Sequence, residues 1–231
     1  MFFFDPMYLV FALPALLLAF YAQFKVQSAY GKYSQKSNWR GISGLEAARY
    51  LLSSAGLSHV RVEGTPGQLT DHYDPRTETL RLSPQVAQSR SVAALGIVAH
   101  EVGHAMQDAQ AYAPLRWRTG LVPAVNIGSW LGPILFLIGF LMRAPSLAWI
   151  GVLFFAGSAV FALITLPVEL NASGRALQML RTAGLVTGGQ ETEGVKSVLN
   201  AAALTYVAAL AQALSTLLYY VFLLTGFSRN D

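Results

Sequence analysis

The chain has no cysteine in its 231 residues. That excludes disulfides and thiolate metal sites, so any metal ion must be held by imidazole and carboxylate. Charge is scarce too. Asp, Glu, Lys and Arg make up 12% of the chain, against about 25% in a soluble domain. Histidine is scarcer still, with four in all. No basic residue precedes the first apolar run, which excludes the basic start of a cleaved signal peptide. No basic-aromatic module or nucleic-acid motif is present, so the pI of about 9.4 needs no nucleic-acid partner. No internal repeat, low-complexity tract or linker marks a second independent domain.

What the chain does have is apolar length. It is 54% hydrophobic, with a mean hydropathy of +0.44. Four stretches, 6–24, 121–142, 146–166 and 203–225, are long enough to cross a bilayer, which takes about 20 apolar residues. The first holds Pro14 and the second Pro123 and Pro133. Proline is tolerated in membrane helices, where neighbours satisfy the freed carbonyls.

Charge order sets the expected topology. The chain starts Met1-Phe2-Phe3-Phe4-Asp5-Pro6, and its first cations, Lys25, Lys32, Lys36 and Arg40, follow the apolar run. This predicts an uncleaved first span with its amino end outside. Segment 25–120 carries eleven of the sixteen Lys and Arg, and segment 167–202 holds Arg175, Arg181 and Lys196. Arg143 alone lies between spans two and three, and Arg229 in the tail. The positive-inside rule then places 25–120 and 167–202 in the cytoplasm and both termini outside. The expected home is the bacterial inner membrane, with several passes. The expected parts are a first span (1–24), a cytoplasmic region (25–120), a two-span hairpin (121–166), a cytoplasmic helical segment (167–202), and a last span with its tail (203–231), all in one integrated domain.

The cytoplasmic region reads as small and mixed. Ser43-Gly44-Leu45-Glu46 is an S-x-x-E capping box that opens a helix through about Ser54, with Gly56 as its stop. His59 to Glu63 alternates like a strand. Gln68 to Tyr73 and Thr77 to Leu82 flank the turn Asp74-Pro75-Arg76, which predicts a hairpin or small sheet. Residues 89–110 predict a helix, because Val92, Leu95, Val98, Val102 and Met106 recur at three- and four-residue spacing.

Inside that helix stands His100-Glu101-Val102-Gly103-His104, an H-E-x-x-H motif. Residues four apart share a helix face, so both imidazoles can meet one ion. Glu101 follows the first ligand and can act as base on an activated water, the core of a zinc metalloprotease. Catalytic zinc wants a third protein ligand. The candidates are His59, His72, Asp108 and Glu169. Glu169 is favoured, because it follows Pro167 at the cytoplasmic end of span three and is the only carboxylate between Asp108 and Glu191. For the oxyanion, the candidate donors are His72, Tyr73 and Tyr206. A peptide substrate could add as a strand beside Thr79 to Leu82.

These residues carry a resemblance. Asp5-Pro6, Tyr21 to Val26, Leu69 to Thr77, Ala99 to Ala105, Tyr112 to Leu115, Leu121 to Ser129, Leu166 to Glu169 and Ala201 to Ala208 together resemble the bacterial membrane neutral zinc metallopeptidases of the YugP type. The resemblance spans nearly the whole chain and extends distantly to the HtpX-type membrane proteases. It implies His100, His104 and Glu169 as ligands of one catalytic zinc ion and Glu101 as base. One departure stands out. The family pattern after the third ligand reads Glu-Phe-Asp-Ala-Ser, whereas this chain has Glu169-Leu170-Asn171-Ala172-Ser173. Ser173 also stands where the distant relatives have a second carboxylate. Ligand imidazoles usually donate their second N–H to a carboxylate or carbonyl. Asn171 and Asp108 are the candidates for that supporting layer, with Asp71 and Asp74 beyond them.

The expected fold is mainly α: a polytopic membrane protein with about four transmembrane helices and a small α+β cytoplasmic zincin-like region carrying the motif helix. The expected function is a zinc endopeptidase acting on membrane or membrane-near proteins. The alternative is a zinc-binding pseudoprotease or adaptor in membrane-protein quality control. A transporter would need ionisable groups within its spans, and the four stretches hold no Asp, Glu, Lys, Arg or His, with Asn126 offering only an amide there. The expected partners are a protein or peptide substrate and the lipid bilayer. Four spans make a small bundle, which leaves room for self-association or a membrane-protein partner.

Overall fold

A computed structural model describes residues 6–227. Asp5 of the resemblance and Arg229 of the tail lie outside them. In chain order the elements are α1 (Pro6–Ser34), α2 (Gly44–Ser54), β1 (Arg61–Gly64), β2 (His72–Asp74), β3 (Thr79–Leu82), α3 (Pro84–Gln88), α4 (Val92–Ala109), α5 (Ala113–Leu141), α6 (Pro145–Thr182) and α7 (Gly189–Phe227). Among the described residues, helices α1, α5, α6 and α7 are the four long and apolar enough to cross a membrane. Three of them continue well past the apolar run: α1 to Ser34, α6 to Thr182, and α7 from as early as Gly189.

The chain divides into two compact units. One takes the residues up to Ala22, Arg116–Pro167 and those from Thr205 onward. The other takes Gln23–Leu115 and Val168–Leu204.

The first unit is built from the apolar halves of the long helices. Small residues let α5 and α6 approach closely, as membrane helices do. A Cβ on Gly132 would lie 2.8 Å from the Phe155 nitrogen, and one on Gly139 2.3 Å from the Ala148 nitrogen. Large apolar side chains face outward. Leu153 is 72% exposed and Trp130 71%, as suits a surface solvated by lipid.

The second unit holds the sheet and the motif helix. Helix α2 begins as its capping box predicts. The Ser43 hydroxyl accepts from the Glu46 N–H at 3.2 Å, and the Glu46 carboxylate accepts from the Ser43 N–H at 2.7 Å. The Asp74 turn forms too, with its carboxylate accepting from the Arg76 N–H, the Thr77 hydroxyl and the Arg81 guanidinium. It joins β2 and β3 into the expected hairpin, with Tyr73 opposite Leu80.

The sheet order is β1-β3-β2, with β1 parallel to β3. This corrects one expectation. β3 (Thr79–Leu82) cannot take a peptide as an added strand. It is central, both its edges are paired, and Thr79, Leu80 and Leu82 are buried. The outer edges belong to β1 and β2.

Leu80 and Leu82 pack with Leu51, Val98, Val102 and Leu180 in a core between the sheet, α2, α4 and α6. Full burial of each such side chain contributes about 1.5–3 kcal/mol. That core fixes one stripe of α4 and turns the neighbouring stripe, with both histidines, towards α6.

Candidate metal centre

Helix α4 starts where Ser91 caps it, its hydroxyl accepting from the Ala94 N–H at 3.2 Å. One turn separates His100 from His104, and their rings stand edge to face, 4.7 Å between centroids. Their Nε2 atoms are 3.2 Å apart.

Gly103, between them, sets the distance to α6. A Cβ there would sit 2.7 Å from the Ala172 carbonyl oxygen, a backbone atom with no freedom to give way. Only glycine allows this approach. It brings the α6 residues Glu169 and Ser173, either side of Ala172, over the imidazoles. Glu169 Oε2 lies 3.1 Å from His100 Nε2 and 3.4 Å from His104 Nε2, and Glu169 is 1% exposed.

Three donor atoms therefore form a triangle with edges of 3.1, 3.2 and 3.4 Å. A tetrahedral zinc with ligand bonds of about 2.0–2.1 Å separates neighbouring ligand atoms by about 3.3–3.4 Å. The donor set and its spacing fit zinc. Among the described residues, His100, His104 and Glu169 are the group of three donors close enough to share an ion.

A second layer fixes the imidazoles. His104 Nδ1 lies 3.0 Å from Gln107 Oε1. The Gln107 amide nitrogen donates to the Val168 carbonyl at 2.8 Å and to Asn171 Oδ1 at 2.9 Å. A carbonyl only accepts, so the amide nitrogen must face it and the amide oxygen must face His104. His104 then carries its proton on Nδ1 and presents the Nε2 lone pair inward. Asn171 Oδ1 also accepts from Arg175 Nε at 2.7 Å. Thus Asn171 supports the site at one remove, through Gln107. The Ser173 hydroxyl lies 3.1 Å from His100 Nδ1.

Glu101 occupies the other flank of the histidine stripe. Its Oε2 accepts from the Tyr73 N–H at 3.0 Å, which ties it to β2. Burial pushes the Glu101 carboxyl up. The imidazoles and the Tyr73 N–H oppose this, while the Glu169 charge adds to it. Burial alone would push the His104 imidazole down, but the hydrogen bond to Glu169 and the charges of Glu101 and Glu169 hold it above its ordinary value.

The other named residues fall elsewhere. The Asp108 carboxylate accepts from the Tyr73 hydroxyl at 2.9 Å rather than from a ligand imidazole. His72 is exposed, with Nδ1 2.8 Å from the Thr70 carbonyl oxygen. His59 is exposed in the turn before β1. Asp71 accepts from the Ser83 N–H and hydroxyl, and Asp74 serves the turn. Tyr206 belongs to the other unit.

Gln107 and the close approach at Gly103 were not expected from the sequence. Gln107 lies three residues after His104 and seven after His100, on their face of the helix, and that spacing is the signal that could have found it. Replacing it tests the second layer. Gln107→Leu should fold and weaken zinc binding by about 10–100-fold, read by competition with a calibrated chelator. Unchanged affinity would mean that Gln107 does not hold His104.

A polytopic membrane chain with two helical imidazoles and one buried carboxylate at zinc spacing defines a class, the membrane-associated zinc metallopeptidases. The comparisons agree. Residues 8–225 match the family described as "Putative neutral zinc metallopeptidase", and this chain belongs to that family. It is 44% identical over 225 residues to "Putative membrane protease YugP" of Bacillus subtilis (strain 168), covering 97% of this chain and 100% of that protein. No solved structure matches it.

Proposed function

We propose that this chain is a zinc endopeptidase of the bacterial inner membrane that cleaves membrane or membrane-near proteins on the cytoplasmic side. The observation that carries the reading is the donor triangle of His100, His104 and Glu169, with Glu101 beside it on the same helix. The charge order along the chain supports the cytoplasmic placement. Lys25 to Arg118 and Arg175 to Lys196 belong to segments that flank the apolar runs on one side.

His100, His104 and Glu169 would hold the ion, as a gluzincin-type set of two imidazoles and a carboxylate. Zinc supplies Lewis acidity when bound there, polarising a peptide carbonyl and making water a better nucleophile at neutral pH. Glu101 takes a proton from the attacking water and passes it to the leaving amine. Its raised proton affinity suits both halves of that transfer. The Tyr73 N–H points the carboxylate.

Tyr73 pairs with Leu80 yet donates its N–H to Glu101, so the outer edge of β2 faces the base. A peptide laid along β2 in extended form would run past Glu101. The Tyr73 hydroxyl is committed to Asp108 and would have to leave it to serve an oxyanion. His72 is the other donor of this unit to test.

Asn171, standing where the family pattern has an acid, is the feature that favours an adaptor that binds zinc without cleaving. That support weakens, because His100 and His104 find their Nδ1 partners in Ser173 and Gln107. The test is elemental analysis of detergent-purified protein together with cleavage of an unfolded membrane protein. One zinc per chain with cleavage supports the reading, and zinc-free or zinc-loaded protein that never cleaves overturns it.

A further inference from the structure

We infer that the groove between α1 and α7 in the second unit is a binding site for the headgroup of an anionic phospholipid. The groove has a volume of about 390 Å³. Lys25, Ser28 and Lys32 of α1 line one side, and Ser197, Asn200 and Leu204 of α7 the other. The α1 residues are spaced by three and four, so they form one face of that helix. Small residues make the floor. Ala29 and Ala201 are 8% and 7% exposed and pack with Ala93 at the start of the motif helix. Larger side chains at these two positions would fill the space.

The charge is of one sign. No carboxylate lines the groove. Of the acids on α7, Glu191 accepts from the Trp39 N–H at 2.7 Å through one oxygen, and Glu193 pairs with Lys196 at 2.8 Å. Two ammonium groups, two hydroxyls and an amide suit a phosphodiester and a polar head.

The place in the sequence points to lipid rather than to a soluble anion. Lys25 directly follows the apolar run of α1, and Leu204 stands at the start of that of α7. Basic pockets at such borders meet anionic headgroups. This site rests on neither zinc nor proteolysis.

The test uses the full chain in neutral detergent. The probes are short-chain phosphatidylglycerol, short-chain phosphatidylcholine and inorganic phosphate. The readouts are the unfolding midpoint and the bound lipid retained in native mass spectrometry. Phosphatidylglycerol at a hundredfold excess over its Kd should raise the midpoint by about 5 °C or more and remain bound. The other two probes should do neither. Lys25→Gln with Lys32→Gln should lose both effects, and so should Ser28→Phe, which fills the groove but keeps the charges. Arg76→Gln with Arg181→Gln, equal in charge but remote on β-turn and helix end, should retain them. The proposal fails if the lysine pair variant or Ser28→Phe responds like wild type, or if phosphatidylcholine matches phosphatidylglycerol. It fails equally if phosphate alone reproduces the shift, which would make this a free-anion site.

Discussion

Glu169→Ala should strip zinc from the protein and abolish cleavage, while leaving the chain folded. The argument starts from burial. Glu169 is 1% exposed, and its Oε2 stands 3.1 and 3.4 Å from the two Nε2 atoms. A carboxylate taken that far from water costs several kcal/mol unless it is paired. Its partners are the imidazoles, or an ion that replaces their protons. Removing it leaves a site of two neutral donors, one ligand short of a catalytic set. Loss of an outer hydrogen-bond partner alone costs about 10–100-fold in metal affinity, so loss of a direct ligand should exceed that range. The zinc content of purified protein should fall from one per chain to near zero.

Folding should survive, because the core around Leu51, Leu80, Val98 and Leu180 does not use the carboxylate. Helix content and the unfolding midpoint check this. Glu169→Gln is the gentler control. It keeps the shape but replaces an anionic donor with an amide, and zinc affinity should again collapse. If either variant keeps stoichiometric zinc and full cleavage, the third ligand lies elsewhere. Asp108 would be a poor substitute as arranged, since its carboxylate accepts from Tyr73 on the other flank of α4.

Glu169 could be read from the sequence because of a scarcity. It is the lone carboxylate in a long apolar stretch, and the charge order put it on the side of His100. The motif helix and the α2 capping box were readable because their signals are local. Each depends on residues three or four apart on one helix.

The sheet was only half readable. A turn joins β2 to β3 in sequence, so the hairpin announced itself. The alternation at His59 to Glu63 signals a strand but carries no information about its partner, and β1 lies parallel to β3 across the sheet from β2. That placement made β3 central and removed it as a docking edge. The extent of α1, α6 and α7 beyond their apolar runs was hidden for a related reason. Hydropathy marks where lipid ends, not where a helix does. Gln107 was hidden because its spacing from the histidines marks the shared helix face but not what the amide bonds to. Its role appears only when α6 supplies Val168 and Asn171 as acceptors. Gly103 could not be read as a contact until Ala172 was known to face it.

Glu101→Gln should leave zinc in place and remove most of the catalysis. Glu101 is not one of the three clustered donors. It faces β2, where its Oε2 accepts from the Tyr73 N–H at 3.0 Å. The glutamine amide has the same size and can accept the same bond through its oxygen, so the local structure has no reason to change. What the amide cannot do is take up a proton near neutral pH. The buried setting raises the proton affinity of the carboxyl, and that is the property the variant deletes. General-base catalysis by a positioned carboxylate is worth about 10²–10⁴ in rate, and kcat/KM should fall by that factor. Zinc per chain, measured on the same preparation, should stay at the wild-type value. The pair of readouts separates two failures that activity alone would merge: Glu169→Ala loses the ion, and Glu101→Gln loses only the base. It also separates a protease from an adaptor. A protein whose work is to bind a partner would keep its cellular phenotype when Glu101 becomes Gln, whereas a protease would lose it. Full cleavage by Glu101→Gln would remove this residue from the mechanism and leave His72 as the next side chain to test.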